Sequence, residues 1–432
     1  MRFTARSVRL ALPVLAGLLL CSPPAILSEQ VSLTFQYRGG GARTETAEAW
    51  IRAFEAAHPQ IDVEFQPAPD GYRDRTIVSW AAGVGPDVTE IWGDWAQDYA
   101  RAGVLLDLRP FVQRDFTRQD VTDFFPAAWQ ASHLRYRERA GMQFVIPRYM
   151  ITTVYYYNID RFRAAGLETP VQLDERGEWT YDTLRSMARK LTVRTGNQTT
   201  QWGFTTDSDS YRRLSVWVRA FGGDWFDPAE PRRFTGDEGP AVAALRFLQD
   251  MIWQDGTTTP EFDREGFEAG TVALMEEGSH AIMARYDRNI GDSFAWDIAP
   301  VPVGANGRKA YAGDDGFAIW RDTPHPDAAW EFVKFLTSRE GQEIAAQYEG
   351  LGPVRRSAFP FYQQVTGGYN VQAVLTNMAD AGLPMSGLML GDVAEIGRVL
   401  TDILDRTMEL NELSYDQAIR ENAAAIEALA RQ

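Results

Sequence analysis

The sequence contains very little cysteine, histidine or lysine. Among 432 residues there is one cysteine, Cys21, so no intramolecular disulfide can form and the fold must depend on packing. The four histidines are scattered and do not show the spacing of a zinc site. The chain also lacks a P-loop and a G-x-S-x-G nucleophile elbow. We therefore expect neither a bound metal nor a cofactor.

Basic residues are also fewer than acidic ones, 43 against 59. The formal net charge is −16, and it becomes −19 if residues 1–28, which carry three arginines and no acid, are removed. A surface of this sign repels the phosphates of nucleic acids and of anionic lipids. We therefore do not expect a nucleic-acid partner.

Long apolar runs are missing except near the N-terminus. Three arginines precede the apolar run 10–20, which is followed by a segment rich in proline and small residues. A membrane span needs about 20 apolar residues, and this run is shorter and contains Pro13. We interpret residues 1–28 as a secretory signal peptide. The alternatives are an N-terminal membrane anchor and a lipoprotein that keeps a lipidated Cys21.

Apolar residues make up 45% of the sequence, and a chain of this length is expected to form two domains. Residues 31–37 alternate apolar and polar side chains, as a half-buried strand does. Apolar positions between Ala47 and Ala57 then follow a helical spacing, and residues 61–65 alternate again. Strand, helix and strand in this order predict a parallel α/β layer.

A third strand, a short one, is predicted over residues 87–92, after the glycines Gly83 and Gly85. Ligands of open α/β sheets bind beyond the carboxyl ends of the strands, where this pattern places Trp92, Asp94 and Trp95. An indole face covers the C–H face of a sugar ring, and a carboxylate accepts hydrogen bonds from its hydroxyls. The alternatives are core packing for the tryptophans and a helix N-cap for Asp94.

The glycines after the first strand imitate a dinucleotide-binding loop. Gly39-Gly-Gly41 would begin a G-x-G-x-x-G pattern, but Thr44 occupies the position of the last glycine. A nicotinamide enzyme is therefore not expected.

Several segments in order resemble one family, the extracytoplasmic solute-binding proteins of ABC importers, in the sugar-binding group that includes maltose-binding proteins. Each segment alone is weak, but together they cover nearly the whole chain after the signal peptide. The segments are Ala81–Trp92, Ala102–Leu108, Ile146–Pro147, Tyr155–Asn158, Ala165–Pro170, Phe221–Asp224, Gly270–Met275, Pro300–Gly304 and Ala329–Leu336, and Gly352–Arg355 follows them.

The resemblance implies an α/β fold of the type II periplasmic-binding-protein class, with two lobes around a ligand cleft. Lobe 1 would comprise residues 31–147 and 300–351, and lobe 2 residues 152–296 and 356–432. Three crossing segments would form the hinge, near residues 148–151, 297–299 and 352–355. Their extended, proline-containing character agrees with that role.

Further ligand-binding candidates follow once these lobes are assumed. Each has an alternative role that involves no ligand. Arg38 and the turn at Asp314-Asp315 could be solvated charges, and the aromatic residues could pack in the hinge or the core. Arg355 could form a structural ion pair. Beyond Trp92, Asp94 and Trp95, the predicted ligand-binding residues are Arg38, Tyr149, Trp225, Tyr286, Asp314, Asp315 and Arg355.

The resemblance implies a monomeric, non-enzymatic periplasmic protein. It would capture a mono- or oligosaccharide and deliver it to the permease subunits of an ABC transporter and their ATPase. Arg38, Arg148, Arg285 and Arg355 raise an alternative, since arginine forks suit acidic sugars or phosphorylated polyols. A second alternative is a secreted glycoside hydrolase, because 59 acidic residues leave room for a carboxylate pair.

Overall fold

The structure is a computed structural model. It describes residues 30–69, 71–134, 141–149, 151–279, 283–311, 315–379 and 391–431, without the side chains of Asp94, Gln97 and Ala284.

The first lobe is built on a five-stranded sheet in the order β2-β1-β3-β12-β4. β1 is parallel to β2 and β3, whereas β12 is antiparallel to β3 and β4. The alternating pattern of the first strand places Leu33, Phe35 and Tyr37 in the core. The strands are β1 (Val31–Arg38), β2 (Ile61–Ala68), β3 (Val88–Ile91), β4 (Ile146–Pro147) and β12 (Gly316–Ile319).

Helices cover this sheet, and aromatic side chains fill the space between the layers. Trp50 and Phe332 pack with Phe35, Tyr37 and Phe317 of the strands, with ring centroids 5.0 to 5.6 Å apart in the closest pairs. The helices of this half are α1 (Ala42–Ala57), α2 (Arg73–Ala81), α3 (Gly93–Ala102), α4 (Arg109–Asp115), α5 (Arg118–Asp123), α6 (Pro126–Ala131), α14 (Pro326–Leu336), α15 (Arg339–Glu349) and α16 (Phe359–Val365).

The second lobe contains a three-stranded antiparallel sheet in the order β8-β5-β9 and two hairpins. Trp179, Trp217 and Trp225 are fully buried in its core. The strands are β5 (Val154–Asn158), β6 (Val193–Thr195), β7 (Gln198–Gln201), β8 (Leu274–Glu277), β9 (Trp296–Ala299), β10 (Val303–Gly304) and β11 (Gly307–Arg308).

Most helices of the second half pack an apolar face on this core. The helices of this half are α7 (Ile159–Ala164), α8 (Pro170–Glu175), α9 (Tyr181–Leu191), α10 (Tyr211–Ala220), α11 (Gly239–Trp253), α12 (Arg264–Glu268), α13 (Met283–Ile290), α17 (Gln372–Ala379), α18 (Val393–Leu404) and α19 (Tyr415–Arg431), with a 3-10 helix at Arg356–Ala358 in the first lobe and a π-helix at Asp405–Glu409. Of these helices, α12, α13 and α17 pack instead on the cluster that also contains the first-lobe core.

Contacts of two segments differ from the predicted division of the chain. Residues 300–311, predicted in lobe 1, contact the second lobe, where Pro300 accepts a hydrogen bond from the Trp179 indole and Arg308 pairs with Asp174. Residues 356–365, predicted in lobe 2, contact the first lobe, since Ser357 binds Asp123 and α16 packs on α15. Local patterns identify elements, but the lobe that an element joins depends on long-range contacts.

β4 ends at the sheet edge where β1 and β3 also end, and β5 begins at the edge where β8 and β9 end. The chain between β4 and β5 therefore connects these two edges, between which the predicted ligand cleft would lie. Among the described residues, no helix is long and apolar enough to cross a membrane.

Candidate functional site

A network of buried charges lies at the cleft edge of the first lobe. Arg38 ends β1, Arg148 follows β4, and both guanidinium groups bind the carboxylate of Glu90 in β3. The Arg38 Nη2–Glu90 Oε1 distance is 3.0 Å, and the Arg148 Nη2–Glu90 Oε1 distance is 2.7 Å. Burial alone would raise the pKa of Glu90, but the Coulomb attraction of Arg148 and Arg38 keeps that pKa below its ordinary value.

A second carboxylate extends this network. Arg148 donates to the Tyr37 hydroxyl at 2.5 Å, and that hydroxyl donates to Glu349 at 2.7 Å. Two guanidinium groups thus face two carboxylates, and all four groups have little contact with solvent. The network is nearly neutral overall, and it holds the ends of β1, β3 and β4 together.

An aromatic surface adjoins these charges. The rings of Trp92 and Trp95 are stacked, with centroids 5.0 Å apart and an interplanar angle of 21°, and Tyr72 meets Trp95 edge-on at 5.2 Å. The Arg38 guanidinium lies 4.8 Å from the Trp92 ring centre. Both tryptophans are partly exposed, and the Trp92 indole N–H has no hydrogen-bond partner among the described residues. This surface offers apolar ring area, whereas the unpartnered indole N–H of Trp92 is itself buried.

The second lobe contributes a polar edge that the sequence analysis did not single out. Trp202–Thr205 runs beside β8, so the following Asp207 lies at the cleft edge. Arg213 donates to the Gly278 carbonyl at 2.6 Å, and its guanidinium lies 5.4 Å from the Tyr311 ring centre. Burial and a hydrogen bond with Asp209 raise the pKa of Asp207 to about 7. The missed signal was the position of Asp207 directly after a strand-like segment.

Besides Arg38 and the two tryptophans, three predicted residues lie at or next to the first-lobe edge. Tyr149 is buried, and its ring packs on the Arg148 guanidinium at 4.0 Å. Asp315 precedes β12, and its backbone carbonyl accepts from the Arg148 N–H at 3.1 Å. Asp94 is the second residue of α3, although its side chain is not described. Asp314 lies outside the described residues.

Three predicted residues have structural partners instead. Trp225 is fully buried in the second-lobe core, where its indole donates to the Tyr211 carbonyl at 3.0 Å, so it offers no ring face to a ligand. Tyr286 is also fully buried and donates to Glu277 at 3.0 Å. Arg355 pairs with Asp123 at 3.2 Å, which is the structural ion pair considered as its alternative. Core aromatics and cleft aromatics share the same local sequence pattern, so spacing alone did not separate them.

One acidic group could in principle hold a cation. The carboxylates of Asp209, Asp405 and Glu409 lie within 4.8 Å of one another and are half-buried. Burial, followed by the charges of neighbouring carboxylates, raises the pKa of Asp405 and Glu409. Among the described residues, no geometric feature beyond this proximity points to an ion, so the expectation of no metal stays a prediction.

Comparison with known families identifies the chain. The family described as bacterial extracellular solute-binding protein matches residues 40–343. The chain belongs to this family. This membership and the two-lobed fold confirm the two main predictions from the sequence. Proteins of this family bind solutes and are not enzymes.

Several individual proteins are similar to it. An uncharacterized lipoprotein from Streptomyces antibioticus is 27% identical over 76% of this chain and 72% of its own length. A maltotriose-binding protein from Pyrococcus abyssi is 25% identical over 66% of this chain and 58% of its own length. The sugar-binding protein MalE from Xanthomonas citri has a similar fold, with a TM-score of 0.78, 18% identity and coverage of 93% of this chain and 98% of that chain.

Proposed function

We propose that this member of the family captures a neutral carbohydrate between its two lobes and delivers it to the permease subunits of an ABC transporter, driven by their ATPase. The observation that carries this proposal is the Trp92–Trp95 surface at the cleft edge, beside hydrogen-bonding groups. An apolar face flanked by a few aimed polar groups suits a sugar ring. The maltotriose-binding relative and the MalE-like fold support the same ligand class.

The buried charges favour a neutral sugar over an acidic one. Arg38 and Arg148 bind Glu90, and Arg148 also contacts Tyr37 next to Glu349. Arg285 binds Glu268 at 2.6 Å, and Arg355 binds Asp123. An anionic ligand would have to displace one of these carboxylates, which costs more than binding a hydroxyl. The arginines therefore organise the site, and the ligand meets hydroxyl-binding groups and ring faces.

The proposal also covers export of the protein. Residues 1–28 and Cys21 lie outside the described residues, so we retain the signal peptide, periplasmic location and possible lipidation as proposals. The relative from Streptomyces antibioticus is a lipoprotein. Mass spectrometry of the protein purified from its host separates the outcomes, because cleavage near residue 28 and lipidation of Cys21 give different N-terminal masses. We propose that the exported chain is a monomer. Light scattering on the same sample tests this by measuring the molar mass in solution.

A thermal-shift screen tests the ligand class. The probes are maltotriose, arabinose oligomers, mannitol, galacturonate and glucose 6-phosphate. At 100 times Kd a ligand adds about 2.7 kcal/mol to the free energy of unfolding, which raises Tm by a few degrees. We expect a shift with a neutral probe that Trp92→Ala abolishes. Trp253→Ala is the matched control, because Trp253 is a partly exposed tryptophan of α11 outside the cleft.

Other outcomes would count against the proposal. A shift with galacturonate or glucose 6-phosphate alone would favour the acidic-ligand alternative. Release of reducing ends from an oligosaccharide would favour the glycoside hydrolase. An equal loss of the ligand-induced Tm shift in Trp92→Ala and Trp253→Ala would mean that the loss is not specific to the Trp92–Trp95 surface.

A further inference from the structure

A buried carboxyl group holds the second-lobe edge, which Asp207 and Arg213 form, from the inside. Glu276, in β8, is 4% exposed, and its Oε2 accepts hydrogen bonds from the Thr206 hydroxyl at 2.8 Å and from the Trp217 indole at 2.7 Å. Thr206 directly precedes Asp207 in the chain. Trp217 follows Arg213 by one turn of α10. Both parts of the edge therefore meet at one carboxyl group.

Backbone hydrogen bonds join the segment 202–206 to β8 only as far as Thr205. The Thr205 N–H donates to the Leu274 carbonyl at 3.0 Å, and the Glu276 N–H donates to the Thr205 carbonyl at 2.9 Å. Within the described ranges, no later backbone bond of this segment reaches β8. The bond from the Thr206 hydroxyl to Glu276 is thus the last connection to β8 before Asp207.

The surroundings of Glu276 suit a neutral carboxyl group. In the part of the chain that the structure describes, Glu276 has no ion-pair partner, and Arg213 donates instead to the Gly278 carbonyl at 2.6 Å. Burial raises the pKa of Glu276 to about 7, so this group changes its charge close to neutral pH. The polar and charged side chains that face it are Tyr155 of β5, Tyr181 of α9, Thr206, and Arg213 and Trp217 of α10.

The ionised group needs more solvation than this site provides. Its Oε1 and the hydroxyls of Tyr155 and Tyr181 are buried without a hydrogen-bond partner among the described residues. A buried carboxylate without a paired cation is costly, and water reaching it lowers that cost. Water has its shortest way in beside Thr206, because the next residue, Asp207, is partly exposed whereas Trp217 lies fully in the core.

We propose that Glu276 is a proton-dependent positioning residue of the second-lobe edge. Its neutral form holds the segment 202–206 against α10 and so places Asp207 and Arg213 for the solute, whereas its ionisation loosens Thr206 and displaces Asp207. The protein then captures its solute better in mildly acidic than in mildly alkaline surroundings. The inference rests on the proposed function for the role of this edge in capture, but the movement of the edge needs no ligand.

Hydrogen–deuterium exchange followed by mass spectrometry tests the movement directly. Glu276→Gln keeps an acceptor for Thr206 and Trp217 and cannot ionise. Native protein and variant are compared at the same pH, so the intrinsic pH dependence of exchange cancels. Residues 203–210 should exchange equally at pH 6. At pH 8 they should exchange up to about tenfold faster in the native protein, because that pH is about one unit above the midpoint.

Two controls restrict this result to the edge. At exchange times too short for global unfolding, α19 of the same lobe should not differ between the native protein and Glu276→Gln. Thr206→Val breaks the same connection from the other side, so it should make residues 203–210 exchange rapidly at both pH values. Its matched control is Thr337→Val, which removes a buried hydroxyl that donates to the Val333 carbonyl in the first lobe and should leave the edge unchanged.

Calorimetric titration with maltotriose at pH 6 and pH 8 tests the consequence for capture. Since the apparent Kd is the intrinsic Kd divided by the competent fraction, the affinity should fall about tenfold between these pH values. Glu276→Gln should bind equally at both. Asp207 has a pKa of about 7 as well, so Asp207→Asn is the necessary comparison and should keep the tenfold change.

Three results would overturn the inference. The first is equal exchange of residues 203–210 in the native protein and Glu276→Gln at pH 8, and the second is an equal difference in α19. The third is a pH-dependent affinity that persists in Glu276→Gln and disappears in Asp207→Asn. If maltotriose binds at neither pH, the proposed function loses support, while the exchange comparison still decides whether Glu276 positions the edge.

Discussion

At the scale of single residues, Glu90 is the centre of the first-lobe network. Glu90→Gln removes the negative charge between Arg38 and Arg148 and leaves two buried cations close together. Breaking a buried ion pair costs about 3–5 kcal/mol, so we expect a decrease of that size in the free energy of unfolding. Urea unfolding at pH 7 measures it. The control Glu48→Gln affects an exposed pair with Arg52 and should cost less than about 1 kcal/mol.

Glu90 also makes the free energy of unfolding depend on pH. The pKa of Glu90 is lowered in the folded protein, so the unfolded state binds more protons as the pH falls. The stabilisation by Glu90 is complete above the ordinary carboxyl pKa and is lost as the pH falls through the lower pKa of the folded state. Equal acid sensitivity of the native protein and Glu90→Gln would contradict this assignment.

The pKa of Glu276 is shifted in the opposite direction from that of Glu90. Glu276 is buried in the second lobe, where its Oε2 accepts from the Thr206 hydroxyl at 2.8 Å and the Trp217 indole at 2.7 Å. Burial raises its pKa to about 7. As the pH rises, the unfolded state releases the proton of Glu276 near pH 4.5, whereas the folded state keeps it up to about pH 7. Glu276 therefore lowers the free energy of unfolding as the pH rises from about 4.5 to about 7.

We therefore expect Glu276→Gln to stabilise the protein at pH 8 by about 2–3 kcal/mol and to change little at pH 4.5, because glutamine keeps the acceptor without the buried charge. Urea unfolding at the two pH values measures the difference. The neighbouring Glu277→Gln is the control, since it loses an ion pair with Arg264 at 2.8 Å and should destabilise at pH 8. A Glu276→Gln protein less stable than the native one at pH 8 would refute the charge argument.

Single residues also show how far the sequence predicts the site. Trp92 and Arg38 were predicted at the sheet edge because Arg38 ends an alternating strand and Trp92 follows a short strand that comes after two glycines, and the structure places both there. Asp207 was missed because the segment before it pairs with β8 only through single bridges, which leave no regular pattern. Trp225 was misassigned because a glycine-rich turn before a tryptophan occurs both at a cleft and in a core.

At the scale of elements, close packing between a strand-like segment and a helix sets the position of the second-lobe edge. A Cβ on Gly203 would lie 2.0 Å from the backbone oxygen of Ala188 in α9. Gly203→Ala must push the segment 202–206 away from the helix, and we expect a loss of about 3 kcal/mol. The control Gly239→Ala lies at the start of α11 with open space around it.

Thermal unfolding and sugar affinity together test this prediction. The displaced segment leads to Asp207, so Gly203→Ala should weaken sugar binding as well as lower Tm, whereas Gly239→Ala should change neither. A Gly203→Ala protein with native Tm would show that the helix and the segment separate at little cost.

The elements themselves were largely predictable, whereas their partners were not. Alternation identified β1 and β2, and helical spacing identified α1 and α14, because these patterns reflect burial on one face. The hairpin of β10 and β11 was assigned to the wrong neighbours by its position after the second crossing. Its contact with Trp179 depends on a residue more than 120 positions earlier, which no local pattern reveals.

At the scale of the whole molecule, two edges on either side of one hinge form a site only when they approach each other. The stacked tryptophans belong to the first lobe and the Asp207–Arg213 edge to the second, so a sugar that contacts both favours the closed arrangement by its difference in affinity for the two states. We expect a saturating neutral sugar to reduce the radius of gyration in small-angle X-ray scattering, towards the value of about 22 Å for a compact chain of roughly 400 residues.

Trp92→Ala is the informative variant in that experiment, because it removes part of the first-lobe surface and leaves the connection between the lobes unchanged. At a sugar concentration that saturates the native protein, it should keep the larger radius of the ligand-free form, while Trp253→Ala should contract normally. A native protein whose Tm rises with the sugar while its radius stays constant would show that the ligand binds one lobe alone. The closure between the Trp92–Trp95 surface and the second-lobe edge would then have no role in capture.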